Sequence, residues 1–520
     1  MRSAQLGPWL LAGLIVGPVL GSGIIILPPV VLGVAGAWAL PAWLVMIAVG
    51  VVFALVFGEL SVLFPGDGGV SVAVGHAFGP QGRRLASLYL VVAVLFGPVA
   101  VLLTGVRYLP LGGLPPVGVA YGLLVVCAGL LLRQVASLGR VALVLSSVSA
   151  GVLFAGGVVT LGDAASVLWR GTGGGMAASA TPGGPMSGGM SGGLSGGMSG
   201  AEILSAFALP APDWAMLGHA LLLLFWIVVG WEVVGNYSAE VRNPRRTIRK
   251  AVIRALAAVT AVDLAVAGGM QWLAVRGAAS PVLGASGALG ASGAPGTSAS
   301  AGVAGTMTVT NAAGAVGGIV VPPDGVAALL TPLLGAWGGP VLGALALALC
   351  ATTYLMFVGG VARLGASLGA DGILPRAVGL RARTGAPAGG IGLLCGAHVV
   401  VLAAVGRGVI DVTGLVALAD GFLLANALCG VLTGVRLLRG PLRWGAAILA
   451  LVLGGVLAHA AWWVLGVVAG LAVWMYRVRI GNWLRALCMA RGLRRVCDRV
   501  LPDPRRAPLH DARSVERSLK

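Results

Sequence analysis

Three acidic residues stand inside otherwise apolar stretches: Glu232 in LLLLFWIVVGWEVVGN (221–236), Asp263 within 251–275, and Asp420 in ALADGFLLAN (417–426). A carboxylate left in hydrocarbon is costly, so an ionisable group at that depth is a candidate for function, and the chemistry it offers is taking up and releasing a proton. Glu232 is the leading candidate because Gly230 and Gly235 interrupt the helix around it. Hydrogen bonding that merely braces unwound backbone is the plainer role for the same carboxyl. Asp420 precedes Gly421 and can face a cavity with Asn426, while a structural polar contact between helices is the favoured role for Asp263 and Asp420 alike. Glu59 lies near the end of its stretch and reaches water. His219 and His398 have no motif around them and carry no assigned role.

A second kind of chemistry resides in backbone. GPVLGSGIIILPP (17–29) holds three glycines and three prolines within an apolar run. Gly13, Gly17 and Gly21 recur at i, i+4 and i+8, a small-residue face that lets helices approach closely. That spacing leaves Ser22–Gly23, between Pro18 and Pro28–Pro29, unexplained. A discontinuous helix accounts for it. Unwound backbone exposes amide N–H groups, and the half-helix that follows aims its positive end at the gap, so a carboxylate is stabilised there without any arginine. Irregular backbone at bilayer depth is tolerated only where it lines a cavity. The interruption around Glu232 is the counterpart expected half a repeat later if the fold is built from two inverted halves.

The elements that must hold these groups are membrane helices. The chain is 58% hydrophobic and 10% charged, with mean hydropathy +0.99, more apolar surface than a soluble 520-residue protein can hide. Apolar runs of helix-spanning length recur and period-two patterning is absent, which excludes a barrel. Twelve spans are expected, at 6–29, 38–60, 85–106, 117–132, 141–161, 214–235, 251–275, 335–361, 389–405, 412–435, 444–458 and 460–476. The opening residues resemble a secretory signal, but their apolar run continues to Pro29 and many spans follow. The six cysteines form no CxxC or Cys/His cluster, so neither a disulfide framework nor zinc is indicated.

The net charge of +18 is a matter of topology rather than of nucleic acid. With the N-terminus in the cytoplasm, 30 of the 34 basic residues fall on inner segments, and only Arg107, Arg170, Arg276 and Arg407 lie outside. The same rule favours a break near His459, because one long span over 444–476 would put the twelve-charge tail, 477–520, outside. That tail anchors the topology and can touch anionic headgroups. Segments 171–200 and 278–306, rich in Gly, Ala and Ser, are expected to be disordered outer loops. Met186, Met190 and Met198 are soft-metal donors in type, but no histidine or cysteine supports them.

With these residues in view, the sequence resembles the amino acid–polyamine–organocation permeases. The likeness is carried by GSGI (21–24), FGELSVLFPGDGGVSVAVGHAFG (57–79), FWIVVGWE (225–232), SAEVRNPRRTIRKA (238–251) and ARLGASLGADGILPRAVGLRARTGAP (362–387), and it extends over the first ten spans. Within the family the pattern is similar to the bacterial branch of neutral, branched-chain and methionine exporters. The resemblance implies an all-α fold of five plus five spans in inverted repeat, with spans one and six discontinuous and two further spans after them. It also implies an amino acid held between the breaks: its carboxylate at Gly21, Ser22, Gly23 and Ile24, its ammonium at carbonyls near Trp226, Ile227, Val229 and Gly230. Trp226 sits where the family places a covering aromatic, although a lipid-edge position suits a tryptophan equally. A carboxylate such as Glu232 is linked in the family to proton coupling.

One departure matters. Several proton-coupled members carry a lysine in span five, and here VALVLSSVSAGVLFAGG offers Ser146 and Ser147 instead. Thr352 and Thr353 can add hydroxyls to a sodium site. No basic side chain lies near either break, so the expectation is a neutral, apolar substrate, no cofactor, and a proton or sodium gradient as the energy source. Import, export, exchange, or an amino acid receptor on the same fold all remain open. No nucleophile–base pair or phosphate loop suggests an enzyme.

Overall fold

The structure, a computed structural model, describes residues 6–169, 209–241, 243–278, 321–322 and 324–460, with 466, 467 and 470. The Gly-rich segments (apart from Ala278), nearly all of the twelfth expected span and the basic tail lie outside the described residues. Helix dominates, and the one β-bridge among the described residues pairs Leu6 with Val241. Among the described residues nine helical stretches are long and apolar enough to cross a membrane, and a tenth, Pro116–Leu131, is apolar but shorter. The first stretch, Pro8–Leu63, runs to 56 residues. At about 1.5 Å per residue this is more than twice the ~30 Å of a bilayer core, so it contains two crossings.

The chain begins with α1 (Pro8–Leu20) and α2 (Gly23–Ala35), separated by two residues, then α3 (Ala39–Leu63), α4 (Gly69–Arg107), α5 (Pro116–Leu131) and α6 (Val135–Trp169). The second half opens with α7 (Trp214–Leu224), followed by a short 3₁₀ turn (Phe225–Val228) and a ten-residue 3₁₀ run (Trp231–Glu240). Then come α8 (Pro244–Ala278), the short α9 (Ala327–Leu334), α10 (Gly338–Ala370), α11 (Ala388–Gly406), α12 (Val412–Leu437) and α13 (Pro441–Ala460). Each half thus supplies an interrupted crossing and four further ones, and α13 follows.

Several boundaries differ from the sequence expectation. α2 continues past Pro28–Pro29 to Ala35, because the prolines lie in the second turn, where only two backbone bonds are lost and packing holds the helix: both rings are buried. α4 starts at Gly69, well before residue 85, and bends at Gly79, whose φ of 82° and ψ of −179° separate an entry helix from the crossing led by Pro80. The long 3₁₀ run is the largest surprise. Runs beyond three or four residues are uncommon. Here Val233, Val234, Gly235, Asn236 and Ser238 are all poor helix formers, so intrinsic preference offers little resistance to the tighter winding.

The core follows from the interruptions. α1 packs against α6, α8 and α10, and α4 packs along α12 and α10. Small residues permit the closest approaches: a Cβ added at Gly13 would overlap Leu143, and one at Gly157 would overlap Ala265.

Candidate functional site

Both helix breaks rest on a glycine that no L-residue replaces without strain. Gly21 ends α1 at φ 46°, ψ −146°, and donates its N–H to the Gly17 carbonyl at 2.7 Å. The Ser22 carbonyl accepts from Ile25 and Ile26 at 3.2 and 3.1 Å, opening α2. Among the described residues the amides of Gly23 and Ile24 have no backbone acceptor, as the first turn of a helix requires. At the second break Val229 is extended (ψ 140°) and Gly230 takes φ 122°. The Gly230 N–H donates to Glu232 Oε2 at 2.9 Å, so this carboxyl does brace the break. Its other oxygen, Oε1, is buried and has no hydrogen-bond partner.

A small cavity opens beside the first break. Ser22, Gly23, Ile26 and Leu27 form one wall, Ala100, Val101 and Thr104 of α4 another, and Trp226 and Val416 of α12 complete it. None of these side chains is charged. Two hydroxyls and an indole are its only polar side chains, so the N-terminus of α2 is the local source of positive potential. Such a lining is complementary to one anionic group and an apolar body.

Ser22, Gly23 and Trp226 therefore line the cavity, whereas Gly21, Ile24, Val229 and Gly230 shape the backbone around it without lining it. Ile227 lines a different, smaller pocket, which Asp263 also lines. Asp420 lines neither: Val416, one turn earlier on the same face of α12, lines the first cavity, and Asp420 is half-buried with Oδ1 lacking a partner. Ala100, Val101, Thr104 and Val416 were not singled out from the sequence. They lie in uninterrupted apolar helix with nothing local to mark them.

Hydroxyls gather behind α1. A Cβ at Gly17 would overlap the hydroxyls of both Thr352 and Ser146, and Thr353 Oγ1 lies 3.4 Å from a Cβ built on Gly21. Ser146 Oγ donates to the Gly13 carbonyl at 3.0 Å, and both threonines donate to the Leu349 carbonyl at 2.8 Å, leaving their lone pairs free to accept or to ligate. His398 is fully buried between the Tyr354 hydroxyl and the Val94 carbonyl, at 2.9 and 2.8 Å, a satisfied core histidine. Among the described residues no group of three or more His, Cys, Asp or Glu is placed to hold a metal.

At the arginine-rich end of the bundle, the three sequence segments 64–69, 236–240 and 362–387 come together. Buried Arg363 pairs with Glu240 at 2.7 Å and donates to the Gly359 carbonyl at 2.8 Å. Arg83 reaches Asp371 at 2.6 Å, Arg249 grips both oxygens of Glu59, and Arg381 pairs with Asp67. Ser238 Oγ accepts from Gly66 N at 2.7 Å, and Leu6 N–H donates to the Glu240 carbonyl at 2.9 Å. These ion pairs and hydrogen bonds tie the loops of this end to one another.

The sequence profile of the family described as amino acid permease matches residues 6–487. No curated protein matches the chain. Among solved structures, the crystal structure of MhsT in complex with L-phenylalanine is similar to it, at 14% identity and a TM-score of 0.49, covering 88% of this chain and 100% of that one.

Proposed function

Because the chain belongs to the amino acid permease family, a family of transporters rather than enzymes, we propose that it is a secondary transporter of a neutral, apolar amino acid driven by the proton gradient. The observation that carries this is the cavity at the α2 N-terminus, which has no charged side chain in its wall. The substrate carboxylate is placed at the amides of Ser22, Gly23 and Ile24, because the Gly21 N–H is already given to the Gly17 carbonyl, and its ammonium at carbonyls of Trp226, Ile227 and Val229, with the side chain between Ile26, Leu27 and Val101. Trp226 covers it. Glu232 carries the proton: its unpartnered Oε1 is the atom that receives it, and it lies two residues from the second break. The arginine-rich end is cytoplasmic in a plasma membrane, which places both termini inside.

The hydroxyls of Ser146, Thr352 and Thr353 around Gly17 favour sodium as the second reading for the coupling ion. The experiment is uptake and counterflow of the twenty amino acids in proteoliposomes, with imposed pH or sodium gradients. Saturable flux of leucine-like substrates driven by the pH gradient supports the proposal. Drive by sodium alone assigns the ion to the hydroxyl cluster, flux without accumulation leaves an exchanger, and binding without flux leaves a receptor.

A further inference from the structure

Three cations follow one another along α8 at intervals of one turn: Arg246, Lys250 and Arg254. Arg246 and Lys250 are exposed, and the same face continues through Ile253, Ala257 and Leu264, all exposed as well. It is an apolar lane with a charged end. Arg254 stands at the edge of this lane, half-buried, with its guanidinium 4.0 Å from the ring centroid of Trp9 at the start of α1. Its Nη1 is enclosed and has no hydrogen-bond partner. The carboxylates of this end do not answer these charges. Glu59, Asp67, Glu240 and Asp371 are taken by Arg249, Arg381, Arg363 and Arg83, and the three cations form no ion pair among the described residues.

Arg254 lies one turn inside the apolar stretch that begins at Ala251, beside Ile253, which is 61% exposed. A cation at the edge of hydrocarbon draws an anion to itself, and long basic side chains reach toward the headgroups to meet one. Any lipid covers the lane, and any anion answers the cations. An anionic phospholipid does both at once, whereas a zwitterionic one brings its own ammonium into the stripe. The arginine fork gives the paired hydrogen bonds that a phosphodiester accepts, and Lys250 adds a point charge beside it. We propose that this face of α8, with Trp9, binds one anionic phospholipid: the phosphodiester sits between Lys250 and Arg254, and the acyl chains lie along Ile253, Ala257 and Leu264. The contact with Trp9 fixes the guanidinium before the lipid arrives, so less side-chain freedom is lost on binding. The site joins α8 to α1, which carries the first break, and it does not depend on the identity of the transported substrate.

The test is native mass spectrometry of the full-length protein released from micelles that hold equal amounts of dioleoyl phosphatidylglycerol and dioleoyl phosphatidylcholine. One phosphatidylglycerol is expected to stay bound, with phosphatidylcholine retained about tenfold less or weaker, the value of one charge-assisted hydrogen bond. Arg254→Gln loses that lipid. Arg383→Gln removes an equally exposed cation from the loop before α11, and it keeps the lipid. If the Arg254 variant fails to fold, Lys250→Glu carries the test, since that position is exposed and the new carboxylate repels the phosphodiester. Excess inorganic phosphate leaves the lipid in place, because the acyl chains hold it as well as the head. Equal retention of the two lipids, or phosphatidylglycerol still bound to Arg254→Gln or Lys250→Glu, would overturn the proposal. The same loss in Arg383→Gln would reduce it to diffuse attraction by the basic end, and displacement by inorganic phosphate would make it a site for a free anion; either result refutes a phospholipid site here.

Discussion

Alanine at Gly23 is the smallest change that tests the substrate cavity. The new Cβ would stand 2.9 Å from Trp226 Cδ1, 3.4 Å from Ile227 Cγ2 and 3.5 Å from Leu27 Cδ1. Carbon pairs prefer about 3.5–4.0 Å, so the indole must retreat by roughly 0.6–1 Å. Gly23 is not in the left-handed region, so backbone strain does not confuse the result. Overpacking of this kind costs about 1–3 kcal/mol. If the indole moves into the cavity, that penalty falls on the bound state as a rise in Kd of about fivefold to a hundredfold. Valine adds two more carbons at the same point and removes binding. The assay is equilibrium binding of radiolabelled L-leucine to purified protein, with a thermal melt of each variant alongside. A graded loss, alanine weakened and valine silent, with little change in Tm, is the expected outcome. An unchanged Kd for alanine with a lowered Tm would show that the fold rather than the site absorbs the displacement, and normal binding by Gly23→Val would refute the placement of the substrate.

Glu232→Gln keeps an oxygen for the Gly230 N–H but cannot release a proton, so leucine exchange survives while accumulation driven by a pH gradient disappears; accumulation with wild-type pH dependence would remove Glu232 from the coupling. Glu240→Ala leaves the buried Arg363 guanidinium without its carboxylate, and a loss of about 3 kcal/mol is expected, read as a lower Tm together with faster thiol labelling of a cysteine placed at Ser367. Gly17→Ala forces a methyl against the Thr352 and Ser146 hydroxyls and lowers stability by about 1–3 kcal/mol; an unaffected melt would mean that α1 and α10 can separate freely. In sealed, right-side-out cells, an impermeant thiol reagent leaves Ser514→Cys unlabelled, and labelling there would invert the assigned topology.

The two interruptions were legible because glycine, serine and proline are cheap signals of irregular backbone within a long apolar run. Their partners were not. Thr104 and Val416 face the cavity because of how α4 and α12 lie against α2, and no local pattern in either helix distinguishes the facing residue from its neighbours. The same holds for Asp420, which shares Val416's face of α12 but lies one turn farther along the helix, outside the cavity's lining. Ile227 and Asp263 meet only through the packing of α3, α8 and the broken segment. Boundaries drifted where tertiary packing overrode local preference, as at Pro28–Pro29, or where an amphipathic entry helix preceded an apolar crossing, as at residues 69–79.

The ten-residue 3₁₀ run also has a mechanical meaning. Rising about 2.0 Å per residue, it spans roughly 20 Å, where an α-helix of ten residues would span about 15 Å. Rewinding it would draw its far end toward Gly230 by about 5 Å. That end carries Glu240, which is fastened to Leu6 and Arg363, so the shortening would pull on α1 and α10 at once. An overextended segment of this kind, pinned at its far end, converts a change of winding beside Gly230 into a displacement at the arginine-rich end of the bundle.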